Sequence, residues 1–445
     1  MQLLDQIPKL NFPAPLPQTL LTVHQTFDAP KVDDIAAATR AAVEKLAAQM
    51  KPGATVAVGA GSRGIANLST IVRATVDHLK ANGMQPFIFP AMGSHGGATP
   101  EGQLGVLREL GVTPDSMDVE FKATMEVQEI GQLANGTPLF QDAHACAADH
   151  TILVSRIKPH TDFRSHLESG PSKMCVIGLG KQHGAAIMHE GGVPAFQQYL
   201  APAARVYAEN TNFVGAVGIV ENAYDETAEI VGLTAAEVGL EPEAKLQQKA
   251  KDLMASILFP KVDVLVIRQM GKDISGAGMD PNVTGRLMIP RQPENFEGPD
   301  LAVIAVLNLT KATHGNGTGI GFADVTTARV ANQIDWEVTY MNGITSGSFG
   351  MRRNHLPITM ADDKRALEVA LRGCGEPQET ALFVFIQDTL TLDRLWISPS
   401  LRPVAEQHPR LEIVEEVPLS FDAQGTMVSP WAMEGVPMLN GMAHD

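Results

Sequence analysis

The chain has 445 residues, enough for more than one hydrophobic core, and 44% apolar content is ordinary for a globular protein. Its 34 Lys and Arg stand against 50 Asp and Glu, and the resulting formal charge of −16 disfavours nucleic acid and anionic membrane as partners. Three scattered cysteines (Cys146, Cys175, Cys374), no long uncharged apolar run and no signal-peptide pattern at the start predict a cytoplasmic protein without disulfides.

Residues 1–19 carry Pro8, Pro13, Pro15 and Pro17 and are expected to be extended. An Ala-rich segment with apolar residues at helical spacing predicts a helix over Val32–Lys51, stopped by Pro52 and Gly53. ATVAVGAGSRGI reads as a buried strand running into a glycine turn, with a helix over Asn67–Lys80. That turn, with Gly59, Gly61, Ser62, Arg63 and Gly64, suits either a structural corner or an anion cradle, because orphan N–H groups at a helix start point outward. It lacks the GxGxxG of a dinucleotide site. PFIFPAMG is the next strand, followed by a GSHGG loop carrying His95 and a helix capped by Thr99 with Pro100 in its first turn. Further strands are expected within Asp118–Ile130 and over Pro138–Gln141.

ILVSRIK is a short apolar strand, and the stretch from Ser155 to Gly192 follows from it. That stretch holds His160, His166, His183 and His189, four of the chain's 13 histidines, around Lys173 and among several glycines. Imidazoles can move protons or bind metal, a lysine amine can form a covalent tether, and strand ends are where α/β proteins place such groups. The apolar MCVIGLG after Lys173 would desolvate its amine and favour the neutral nucleophile. GKQHGAAIMHE is a candidate helix in which His183 and His189 do not share a face. With no HExxH and no CxxC, a zinc hydrolase is disfavoured.

Beyond the cluster, AFQQYLAPAARVYAEN is predicted as a helix, FVGAVGIVENAYDETAEIVGL as a hairpin and EAKLQQKAKDLMASILF as a long amphipathic helix. VDVLVIRQMG, LAVIAVLNL and ALFVFIQDT read as strands and DDKRALEVALRGC as a helix. Gln269 and Lys272 follow the first of these strands and suit a carboxylate or oxyanion. The HGNGTGIG run lacks the ending of a phosphate-binding P-loop. Alternating strands and helices in both halves predict an α/β fold in two domains, 1–260 with the catalytic cluster and 261–445 closing over the substrate, with the active site in the crevice between them.

Taken together, these motifs resemble the nickel-pincer nucleotide-dependent lactate racemase family, best from about Val56 to Asn282. The resemblance is carried by Arg63 at the first glycine turn, His95 in GSHGGATPE, His160 in KPH, Lys173, His189 and the Gln269–Lys272 pair. It implies a racemase or epimerase acting at C2 of a 2-hydroxy acid, lactate-like or a larger sugar acid. It implies His95 and His160 as the two bases and Lys173 as the covalent tether of the nickel-pincer nucleotide. It further implies Gly61, Ser62 and Arg63 as cofactor contacts, His189 as the nickel ligand, and Gln269, Lys272 and His166 near the substrate. Enzymes that build the cofactor would be transient partners. The chain departs from the family at Ala60, where an aspartate is usual, and in the longer TDFRSHLESGPS loop, which leaves His166 as an alternative second base. Two other readings fit the same residues: a nicotinamide-dependent 2-hydroxy acid dehydrogenase, and a non-catalytic protein that binds a nickel or nucleotide cofactor.

Overall fold

The computed structural model describes residues 7–61 and 64–431, and the chain divides into two compact units. One unit is Asp28–Met254, and the other joins the chain up to Phe27 to the chain from Ala255 onward. After the proline-rich start, β1 (Thr19–Gln25) buries Leu20, Leu21 and Val23 and is hydrogen-bonded on both edges by strands from the far end of the chain.

In the unit Asp28–Met254, α1 (Ile35–Ala47) is capped by the Asp34 carboxylate and leads to β2 (Thr55–Ala60), α2 (Leu68–Ala81), β3 (Gln85–Pro90) and α3 (Pro100–Glu109). Within Asp118–Ile130, where strand was expected, a continuous strand begins only at Val127. Asp118 takes a left-handed backbone that ends a helical turn, Phe121 makes a single parallel bridge to Ile88 of β3, and β4 (Val127–Gln132) pairs, antiparallel, with β5 (Pro138–Asp142). Next come β6 (His150–Ile157), α4 (Lys181–Glu190), α5 (Gly192–Asn210), the hairpin β7 (Phe213–Glu221) and β8 (Thr227–Thr234), and α6 (Glu241–Asp252). The main sheet has the order β3-β2-β6-β7-β8, parallel from β3 to β7. Val56, Val58, Ile88, Ile152, Val154 and Val217 point to one face and pack with Val43, Leu46, Ile71, Val72 and Val76 of α1 and α2. Strands this thoroughly buried read as continuous apolar runs, which is why they were legible.

In the second unit, β9 (Lys261–Ile267), β10 (Asp300–Val306), β11 (Val325–Thr327) and β12 (Ile358–Met360) precede α7 (Asp363–Gly373) and the strands β13 (Phe383–Ile386), β14 (Arg394–Ile397) and β15 (Leu411–Pro418). The sheet order is β12-β11-β10-β9-β13-β14-β1-β15, parallel from β12 to β13 and antiparallel beyond. Both units are therefore α/β, as expected. Helix α6 stops earlier than its amphipathic pattern suggests. Beyond it, the Gln25 amide accepts from the backbone of Leu258 and donates to the Ser256 carbonyl, tying that segment to the end of β1. Among the described residues no helix is long and apolar enough to cross a membrane.

Candidate functional site

The connection from β2 runs to β3 on one side, while β6 is its neighbour on the other. Adjacent parallel strands whose chains depart in opposite directions leave a crevice at their carboxyl ends, and this is where open α/β sheets bind ligands. Gly61 follows β2 there, and Lys158, Pro159 and His160 follow β6. His95 lies beyond the end of neighbouring β3, so the strand-end placement read from the sequence holds in the structure. Ser62 and Arg63 lie outside the described residues.

His95 opens a tight turn, His95–Ala98, and is half-buried. Gly96 has φ +62°, and a Cβ there would come within 2.4 Å of the Gln103 nitrogen, so only glycine lets this loop fold onto α3. Gln103 then donates to the carbonyls of Met92 (3.2 Å) and Gly93 (2.9 Å), fixing the backbone that leads to His95.

His160, Lys173 and His189 come together. The His160 Nε2 lies 2.6 Å from the Lys173 amine, and its Nδ1 accepts from the backbone N–H of Asp162 at 3.1 Å. The ring stacks on buried Phe163 (centroids 4.4 Å apart), which stacks on Phe196 of α5. His189 meets the same Phe196 edge-on at 5.1 Å. The Nδ1 of His189 is 2.6 Å from the Ala185 carbonyl, one helical turn back. A carbonyl only accepts, so Nδ1 carries the proton and Nε2 keeps its lone pair. His189 retains solvent contact, yet the protein crowded around it disfavours its charged form and lowers its pKa, and Lys173 adds to this whenever it is protonated.

The other histidines of the stretch fall elsewhere. His166 is exposed, its Nδ1 3.5 Å from the neighbouring Ser165 hydroxyl. His183 leaves α4 on another side and meets Phe140 edge-on.

A set of supporting residues was not anticipated from the sequence. One face of α6 holds the loop that carries Lys173. Glu243 accepts from the backbone and hydroxyl of Ser172 (3.0 and 2.9 Å), Gln247 accepts from the N–H groups of Glu168 and Ser169, and Lys251 pairs with the Glu168 carboxylate at 2.7 Å. Glu168, with a fully buried side chain, also accepts from the backbone of His160 and of Ser165. Their spacing of four residues along a helix was the available signal.

Beneath the His95 loop lies a buried ammonium. Lys181, with φ +53° at the start of α4, is fully buried and donates to the Pro90 carbonyl (2.7 Å) and to Gln103, with the Asp142 carboxylate at 3.7 Å. It thus links the helix of His189 to the residue that fixes the His95 loop. Burial lowers its pKa from 10.5 to about 8. Between those values the unfolded chain holds the proton more tightly, so this residue makes stability rise with pH across that window. The rise is expected to reach at most about 3 kcal/mol and to be absent in Lys181→Met, measured as denaturant unfolding at pH 8 and 10.

Gln269 and Lys272 belong to the second unit. There β9 is flanked by β10 and β13, so Gln269 lies at that sheet's own point of divergence. Its backbone donates to the Gln387 carbonyl (3.1 Å) and its amide lies 3.4 Å from Asp388. The Lys272 amine donates to the Gly276 carbonyl at 2.7 Å. Neighbouring Arg268, depressed to about 10 by burial, donates to Gln387.

No protein-family model and no curated protein matches the chain. Among solved structures it is similar to a structural-genomics crystal structure of a Thermotoga maritima protein, with 12% identity over 63% of this chain and 72% of that one and a TM-score of 0.46. At that level the similarity adds nothing to a functional reading.

Proposed function

We propose that the protein is a racemase or epimerase that inverts C2 of a 2-hydroxy acid with a covalently held nickel-pincer nucleotide. The observation that supports this most is the convergence of Lys173, His160 and His189 at the divergence point of a parallel sheet. The residues suit the group. Among the described residues no three His, Cys, Asp or Glu side chains form a metal cluster, so a metal here needs donors that a bound group brings. His189 offers one neutral imidazole, its Nε2 lone pair held ready by the Nδ1 bond to Ala185, an arrangement common for metal-ligating histidines.

Breaking an unactivated C–H bond requires a hydride acceptor that no side chain supplies, and the nucleotide would supply it when bound. The chain's own residues do the rest. Lys173 would tether the group, Gly61 would lie against it, and His189 would present Nε2 to the metal. His95 and His160 would take and return the hydroxyl proton, one for each enantiomer, a task for which imidazole is the usual side chain. In this reading His166 would serve a longer or more polar substrate.

Protein co-expressed with the enzymes that make the cofactor is expected to interconvert the enantiomers of at least one member of a 2-hydroxy acid and sugar-acid panel without added nicotinamide. Turnover only with added nicotinamide would overturn the reading in favour of a dehydrogenase. His189→Ala is expected to lower nickel content while the organic adduct on Lys173 persists, read by metal analysis and intact mass. Unchanged nickel in that variant moves the ligand to another residue.

A further inference from the structure

The strand ends of the second unit carry a polar row of their own. A bridge between Met270 and Leu309 keeps the register of β9 and β10 past their ends and sets Gln269 beside Asn308. On the other side, the register of β9 and β13, continued by the bond from the Gln269 N–H to the Gln387 carbonyl, sets Gln269 beside Asp388. Residues at one register level share a face of the sheet, so Asp388, Gln269 and Asn308 form one row where the connections of β9 diverge. Asp388 Oδ1 accepts from the N–H groups of Leu390 (3.0 Å) and Thr391 (2.9 Å), while Oδ2 lies 3.4 Å from the Gln269 amide, near the limit of a hydrogen bond. Asn308 is 7% exposed, and its Oδ1 has no hydrogen-bond partner among the described residues. A buried acceptor left unmet is costly, and turning the amide over would leave an N–H unmet in its place.

We infer that the row Asp388–Gln269–Asn308 is a binding site for a neutral polyol. One hydroxyl donates to Asn308 Oδ1 and a neighbouring hydroxyl donates to Asp388 Oδ2, while the Gln269 and Asn308 amides donate to the hydroxyl oxygens. The charges at this edge choose between a polyol and an anion. Asp388 lies in the row, the Asp280 N–H donates to the Thr389 hydroxyl at 2.9 Å, and the Lys272 amine donates to the Gly276 carbonyl within its own turn. Carboxylates on the row and next to it repel a ligand carboxylate, whereas a hydroxyl donates and accepts at one atom and matches alternating amides and acceptors. The carboxylate expected at Gln269 and Lys272 from the sequence therefore gives way to hydroxyls at Gln269. The inference goes beyond the proposed racemisation, because binding at this row needs neither nickel nor nucleotide.

The test uses the full chain made without the cofactor-building enzymes, in buffer containing EDTA. Binding of D-sorbitol is measured by titration calorimetry and saturation-transfer NMR, with L-lactate as the anion and 1-propanol as the single hydroxyl. D-Sorbitol is expected to bind at least about 10-fold more tightly than either. Asn308→Leu, which keeps a branched side chain and removes the amide, is expected to weaken D-sorbitol about 10-fold while thermal unfolding stays at or above that of the unaltered chain. Asp388→Asn keeps an acceptor for Leu390 and Thr391 and removes the charge, so it should narrow the gap between D-sorbitol and L-lactate. No binding of D-sorbitol, L-lactate bound as tightly, or D-sorbitol binding unchanged in Asn308→Leu would each overturn the inference. An Asn308→Leu chain that no longer folds overturns it as well, because the protein itself then needs the amide. The assay uses the unloaded chain, so failure of racemisation and failure of this inference are separate results.

Discussion

Lys173→Ala is expected to leave a folded chain that carries no covalent nucleotide and racemises nothing. The turn Pro171–Met174 is held through the backbone and side chain of Ser172 by Glu243, not through the lysine, whose amine meets His160. Loss of a half-buried amine at such a position costs the fold little, whereas the proposed chemistry has no other attachment point. Circular dichroism and thermal unfolding check the fold, and intact mass checks the adduct. A loaded and active Lys173→Ala protein would remove the assignment.

The second large effect concerns the two proposed bases. Every net inversion uses both proton sites, so His95→Ala and His160→Ala should each slow racemisation in both directions by about 10²–10⁴-fold. Partial exchange need not fall equally. With His160 replaced, isotope can still leave the C2 position of the enantiomer served by His95. His166→Ala is the contrast. Its ring is exposed, meets the Ser165 hydroxyl, and takes no part in the contact between His160 and Lys173, so the rate on a small substrate should change by no more than about twofold. A full loss in His166→Ala with His160→Ala near wild type would hand the second base to the longer loop.

How much of this could be read from the residues follows from how local each signal is. β2 and β6 were legible because strands buried on both faces are continuous apolar runs between turns. β1 was hidden behind the proline-rich start, and its partners β14 and β15 lie at the opposite end of the chain, where no local pattern points to them. The site lysine and histidines stood out by type and crowding. Their supports did not. Glu168 reads as an ordinary loop carboxylate until Lys251 and the His160 N–H are seen around it. Lys181 reads as a solvated helix-start lysine, since unpaired lysines are almost never fully buried. Only the fold brings the Pro90 carbonyl, Gln103 and Asp142 to its amine.

The most direct measurement is intact-mass and metal analysis of the full chain co-expressed with the cofactor-building enzymes, followed by peptide mapping of the adduct. A nucleotide-sized mass increment on Lys173 and nickel in about a one-to-one ratio with loaded chain are expected, both absent without those enzymes. A chain that stays unmodified under these conditions, yet oxidises 2-hydroxy acids when nicotinamide dinucleotide is added, would contradict it.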